Sequence, residues 1–292
     1  MSYPITVSEL TLDYGDTRAL DGMSFSIEDG KIVGLLGRNG SGKTSLVSVL
    51  AAFRKATAGQ VAVNGRDPFE DAEIMSHTCL IREGGDVNDA SRVRAVLEFA
   101  ARYRPTWDWA LAERLLDRFE LPERKRVKAL SRGAKSALGV VLGMASRSPL
   151  TIFDEVHLGM DAPSRYAFYE ELLNDYLAHP RTFILSTHLI EEVSSLFEDV
   201  LIIDSGRVIL HEPTEEVRER GVSVTGPAET VDRFAADLTV LNRQQLGGSA
   251  QVTTFGVLSD DRRREAKAAG LELGPVPLQD LFVHLTKSQG RS

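Results

Sequence analysis

Residues 37–44 read Gly-Arg-Asn-Gly-Ser-Gly-Lys-Thr, and this stretch decides the fold. It follows an apolar run, Ile32-Val33-Gly34-Leu35-Leu36, and leads into a helix-like segment from Ser45 to Arg54. Gly, four residues, then Gly-Lys-Ser/Thr is a phosphate-loop pattern, which carries weight when a strand precedes it and a helix follows. Glycines let the backbone bend until successive N–H groups point into one concavity, a shape that holds anionic oxygen. The start of the following helix adds the positive end of its dipole at the same point. The nucleotide-binding residues expected from this stretch are Gly37, Arg38, Asn39, Gly40, Ser41, Gly42, Lys43, Thr44 and Ser45. Lys43 would reach the β- and γ-phosphates, and the Thr44 hydroxyl would ligate Mg²⁺.

Working outward, the 292 residues suffice for roughly two domains, each with its own core. No apolar run approaches the roughly 18 residues that cross a bilayer. The N-terminal MSYPITVSEL has neither a basic start nor an apolar stretch, so nothing in it suggests secretion. The single cysteine, Cys79, excludes an internal disulfide and suits a reducing cytoplasm, with packing as its expected role. A net charge of −8 argues against a nucleic-acid surface. Two basic runs, Arg124-Lys125-Arg126 with Lys128 and Arg262-Arg263-Arg264, read mainly as solvated faces, the first with some scope for steering an acidic partner.

Residues 5–12 and 23–27 alternate apolar and polar, as half-buried antiparallel strands do, and join through Tyr14-Gly15-Asp16. Further strands are expected at 60–63, before the Asn64-Gly65 turn, and at 78–81, ahead of a flexible Gly84-Gly85-Asp86 joint. From about Ser91 to Ser146 the period turns helical, with stripes Val93, Val96, Leu97, Ala100 and Leu111, Leu115, Leu116, Phe119. Ser131 is placed to cap the last helix of this insertion. The apolar strand 150–153 then delivers Asp154 and Glu155, and Asp161 with Pro163 starts a capped helix. A strand over 182–185 ends at Ser186-Thr187-His188, and 200–203 with 208–210 form a hairpin. From about residue 220 the order strand, helix, strand, strand, helix, strand suggests a small ferredoxin-like appendage, followed by a last helix from Pro277.

An acid at the end of an apolar strand suits water-mediated Mg²⁺ binding, which assigns Asp154. Glu155, next in line, would polarise an attacking water, and His188 would reach a γ-phosphate from the end of its own strand. With these residues in order, the chain resembles the ATP-binding subunit of an ABC transporter over residues 1 to about 212. The resemblance implies an α/β fold: a P-loop ABC ATPase core with an antiparallel β subdomain and an inserted helical subdomain (about 91–146). Residues 1–219 would be this ATP-binding domain and 220–292 a small C-terminal α+β domain. It further implies that Tyr14 stacks on adenine, that Glu83 occupies the Q-loop position as a metal ligand, and that Lys43, Glu155 and His188 are catalytic. Ser131 and Gly133 belong to the signature loop, which would cover ATP·Mg²⁺ bound by a second subunit, identical or related. The loop reads Leu130-Ser131-Arg132-Gly133-Ala134 where the family favours LSGGQ, Glu83 stands for a glutamine, and Val156 for a common proline.

The closing segment, Val276 to Thr286, is similar to the last helix of ATPases that serve ABC-2-type bacterial exporters. The resemblance therefore implies an ATP hydrolase peripheral on the inner face of the cell membrane, driving an integral membrane permease. The alternatives are a soluble, non-transport ABC ATPase and a weakly hydrolysing nucleotide-dependent regulator. A single cassette and the absence of heptads argue against the first, and intact Glu155 and His188 against the second.

Overall fold

All six residues of β3 (Ile32–Gly37), the strand ahead of the phosphate loop, are buried, and a strand apolar on both faces must lie inside a sheet covered on both sides. The computed structural model describes residues 3–83 and 87–287; the Gly84-Gly85-Asp86 joint lies outside the described residues. There β3 runs parallel to β7 (Thr182–Thr187) on one side and β8 (Asp199–Asp204) on the other. Parallel β6 (Leu150–Asp154) and β5 (Thr78–Arg82) extend the sheet beyond β7, and antiparallel β9 (Arg207–Pro213) closes the opposite edge. Cys79 is buried on β5 and has no disulfide.

A second sheet takes β1 (Ile5–Tyr14) between β2 (Thr17–Ile27) and β4 (Ala58–Val63), all antiparallel. The alternation in β1 turns Ile5, Val7, Leu10 and Leu12 inward, where they share one core with Val33 and Leu35 of β3. Between the two sheets runs α1 (Lys43–Leu50), contributing Leu46, Val47 and Leu50 to that core. The helix stops short of the expected Arg54. Ala52 takes a left-handed φ of 61°, and the N–H groups of Phe53 and Arg54 both turn back to the carbonyl of Ser48. A one-and-a-half-turn helix that the sequence did not advertise, α2 (Ala72–Ser76), is capped by Asp71 just ahead of β5.

The helical insertion holds α3 (Val93–Tyr103), α4 (Trp109–Arg118) and α5 (Arg132–Ala145), the latter two capped by Asp108 and Ser131. Every residue of α5 from Ser136 to Ala145 is buried. Its Gly143 permits a close approach to the sheet, since an added Cβ would lie 2.5 Å from the ring of Phe153. Asp161 caps α6 (Ala162–Ala178), and two short helices, α7 (Ile190–Val193) and α8 (Thr214–Arg220), flank the β8–β9 hairpin.

The appendage consists of β10 (Gly221–Pro227), α9 (Ala228–Phe234), β11 (Val240–Leu246), β12 (Ser249–Phe255), α10 (Asp260–Ala268) and β13 (Glu272–Pro275). Its antiparallel sheet is ordered β11-β12-β10-β13, with first and third strands central as in a ferredoxin-like unit. It has its own small core, built on Val222, Val224, Val231, Phe234 and Val252. The basic run there is more than a solvated face. Arg262 lies 4.4 Å over the Phe234 ring and pairs with Asp237 and Glu265.

The last helix, α11 (Leu278–Lys287), does not join that small core. Val276, Leu278 and Leu281 pack into the cluster that holds Ile32, Leu36 and Phe153. The physical reason is available surface. Helices α9 and α10 already serve the appendage core, so the apolar stripe of α11 packs between the larger cluster and the appendage strands β10 and β11. Fully buried Leu281 sits against Gly221, where a Cβ would come within 2.6 Å of its side chain. Leu281→Ala is expected to cost about 3 kcal/mol in urea unfolding, whereas Leu281→Met costs under about 1.5 kcal/mol.

Candidate functional site

In a parallel sheet, ligands collect beyond the carboxyl ends of the strands. Here the ends of β3, β5, β6 and β7 open on a cleft of about 800 Å³, lined among others by Lys43, Thr44, Glu83, Asp154, Glu155 and His188. The phosphate loop reaches it through two left-handed glycines, Gly40 (φ 81°) and Gly42 (φ 106°). At Gly42 a side chain is excluded twice over, since a Cβ would also lie 2.8 Å from the carbonyl oxygen of Ala19. Arg38, Asn39 and Ser45 line the cleft as well. Gly37 and Ser41 lie behind the loop, where a Cβ on Gly37 would strike the Ser41 hydroxyl at 2.3 Å. Lys43 is buried, and its Nζ donates to the carbonyls of Gly37 (2.6 Å) and Arg38 (3.3 Å).

Thr44 Oγ1 donates to Asp154 Oδ2 at 3.0 Å, across the intervening strand β7. The other carboxylate oxygen, Oδ1, is buried with no hydrogen-bond partner among the described residues. A buried anionic oxygen without a donor is costly, and among oxygen donors it fits a hard divalent cation. The N–H of Glu83 donates to the carbonyl of Asp154 (3.0 Å), which sets Glu83 beside that acid. Among the described residues no three carboxylate, histidine or cysteine side chains form a self-sufficient metal cage. Mg²⁺ does not need one; it takes one or two carboxylates and completes its shell with water and phosphate oxygens.

Glu155 follows in a left-handed conformation (φ 53°), its N–H bonded to the Ser186 carbonyl. Its Oε2 accepts from His188 Nδ1 at 2.9 Å, and its Oε1 lies 3.8 Å from Lys43 Nζ. Burial holds the Glu155 carboxyl above the usual carboxylate range, with His188 and Lys43 opposing the shift.

The sequence reading passed over one member of this cluster, His157. It is buried, with Nε2 3.0 Å from Thr187 Oγ1 and 3.7 Å from Glu155 Oε2. Thr187 Oγ1 already accepts the N–H of Leu189 (2.9 Å), so its own proton is free for the imidazole. Burial pushes the pKa of His157 down to about 4, leaving the ring neutral at pH 7. Its one signal in the sequence is its position two residues beyond Glu155.

Besides Gly37 and Ser41, three expected site residues stay outside the cleft. Tyr14 is exposed under the guanidinium of Arg54 (5.4 Å), and Thr17, Arg18 and Ala19 line the cleft at that end. Ser131 and Gly133 sit at the start of α5; the Ser131 hydroxyl accepts the N–H of Ala134 (3.2 Å) and is exposed. Gly133 is pressed against the loop after Glu155, where a Cβ would lie 2.9 Å from the Gly159 carbonyl oxygen. The basic residues Arg124, Lys125, Arg126 and Lys128 are exposed just ahead of Ser131.

A histidine whose folded pKa is depressed favours the fold above its unfolded pKa of about 6.5, and that contribution is lost as pH falls through the folded value. Between pH about 6.5 and about 4, His157 is expected to account for about 3 kcal/mol of lost stability. Urea unfolding at a series of pH values checks this, with His157→Gln giving the flatter acid limb.

Residues 20–157 match the ABC transporter family model. The chain is 29% identical to the daunorubicin resistance ATP-binding protein DrrA3 of Streptomyces coeruleorubidus, covering 98% of this chain and 97% of that one. It is 24% identical to the ABC transporter ATP-binding protein YtrB of Bacillus subtilis, over 96% and 97% of the two chains. Among solved structures, an ATP-binding subunit of an ABC transporter superposes with a TM-score of 0.67 at 24% identity, over 73% of this chain and 91% of that one. CbiO1 of Clostridium perfringens follows with a TM-score of 0.61 at 23% identity, over 74% and 91%; both show likeness of fold. Phosphate loop, paired acids and strand-end histidine share one cleft, and with these matches the chain is similar to the ATP-binding subunits of ABC transporters.

Proposed function

We propose that this chain is the ATP-hydrolysing subunit of a membrane export system, working as a pair of subunits beneath a separate permease. The observation that carries the reading is the convergence of Lys43, the Thr44–Asp154 pair and the Glu155–His188 pair on one cleft. The backbone N–H groups that the loop turns into the cleft, with Gly37 and Ser41 behind it, and the Lys43 ammonium would cradle the phosphates. Thr44, Asp154 and Glu83 would hold Mg²⁺, which when bound neutralises phosphate charge. Glu155 would accept the proton of the attacking water, its acidity already lowered by burial. His188, hydrogen-bonded to Glu155, would hold that carboxylate in place and contact the γ-phosphate. Tyr14 would stack on adenine from the rim.

Ser131 and Gly133 lie outside their own subunit's cleft, which supports a head-to-tail pair in which each signature loop covers the other's nucleotide. A γ-phosphate needs donors from all sides, and one subunit supplies only part of them. The partner is a second copy or a related chain. Export is favoured by relatives whose names print it: the Nod factor export ATP-binding protein I of Burkholderia lata is 25% identical over 97% of both chains, and DrrA3 is named for daunorubicin resistance. No described helix is long and apolar enough to cross a membrane; the reading assigns that passage to the permease and this chain to the inner membrane face. Division of the molecule into residues 1–219 and 220–292 is part of the same reading, with α11 reaching back across it.

Glu155→Gln is expected to retain ATP binding and to lower turnover by about 10²- to 10⁴-fold, the range of a general base. In the parent, turnover falls on acidification along a limb above the ordinary glutamate range, because the carboxyl must be ionised to act. Ser131→Ala removes one hydrogen bond to a charged group. In the Glu155→Gln background it weakens ATP-driven dimerisation by about ten- to a hundredfold. Light scattering of the eluting species reads this directly.

A further inference from the structure

Helix α5 begins against the usual rule. Its first turn carries Arg132 and Lys135 and no acid, although the positive end of a helix dipole disfavours cations there. Both cations are paired with acids from the segment that follows β5: Arg132 with Glu83, 49 residues earlier, and Lys135 with Asp89 at 2.7 Å. The route to Glu83 is built. Gly159 leaves room for the Arg132 stem, since a Cβ there would lie 3.0 Å from Arg132 Cγ.

Glu83 lines the cleft together with Asp154 and Glu155. The buried Lys43 and the cleft-lining Arg18, Arg38 and Arg82 face the pocket's three carboxylates, and of those three Glu83 is the one held against the start of α5 by Arg132. We propose that Arg132 is a positioning residue for nucleotide binding: it holds the Glu83 carboxylate toward its own subunit's signature loop and cancels its charge while ATP enters. The inference rests on the cleft being an ATP site. It explains why Arg132 and Glu83 occur in one chain, each depositing a charge that the other neutralises. Arg132 is 69% exposed and Glu83 36%, so the pair is of the weak, screened kind. It biases the carboxylate without locking it, and a bound cation can draw Glu83 away.

The test is equilibrium ATP binding, by calorimetry at low ionic strength, in the Glu155→Gln background where no turnover intrudes. Arg132→Ala is expected to weaken ATP binding by about two- to fivefold, and Arg132→Lys to recover part of the loss. Glu83→Gln added to Arg132→Ala restores binding, and the difference between Arg132→Ala and parent fades as salt is raised. Parent-like affinity in Arg132→Ala, or a loss that persists unchanged in the double variant, overturns the proposal. Failure of the Glu155→Gln parent to bind ATP at all would instead overturn the functional reading beneath it.

Discussion

One hydrogen bond, from Thr44 to Asp154, organises the rest of the site. It joins the first turn of α1 to the end of β6 across the intervening β7, and so fixes the phosphate loop relative to the acids. The bond can form because the register of the parallel strands brings their ends to one level, and β3, β6 and β7 are buried along their whole lengths. Hydrophobic burial of the strands and placement of the polar groups are thus one constraint, seen from its two ends.

Much of this could be read before any coordinates, and the reason is local. The phosphate loop, the Asp154-Glu155 pair and His188 each announce themselves within a few residues of an apolar strand, and strand ends map to one edge of a parallel sheet. The appendage was legible for a similar reason: short alternating runs separated by turn residues gave its βαββαβ order, which the sheet realises as β11-β12-β10-β13. What escaped was long-range. Nothing periodic relates Arg132 to Glu83, or shows that the apolar stripe of α11 prefers the larger core to its sequence neighbour. His157 escaped because a buried histidine has no pattern; only the fold reveals Thr187 and Glu155 beside it. Tyr14, Ser131 and Gly133 are the converse case, assigned by resemblance and lying outside the cleft of the single chain.

The acidic cluster also shows how competing electrostatic demands are met together. Glu155 is buried enough to resist ionisation, yet His188 and Lys43 pull it back. Asp154 spends one oxygen on Thr44 and leaves the other unsatisfied. His157 stays neutral behind them, so no additional positive charge competes for Glu155. The unpaired oxygen and the left-handed backbone at Glu155 are local departures from the most stable arrangement, and such departures concentrate at functional sites.

The docking of α11 has a consequence for biosynthesis. Leu281 and its neighbours complete the same apolar cluster as Ile32 and Leu36, yet they emerge only after the whole appendage has been translated. Domains tend to fold from the N-terminus as they leave the ribosome, so the cluster around Ile32 and Leu36 lacks Val276, Leu278 and Leu281 until the last helix has been made. The appendage core, closed by β13 just upstream, can form in that interval. The last contacts of the larger cluster therefore come from the end of the chain, after the residues of the appendage.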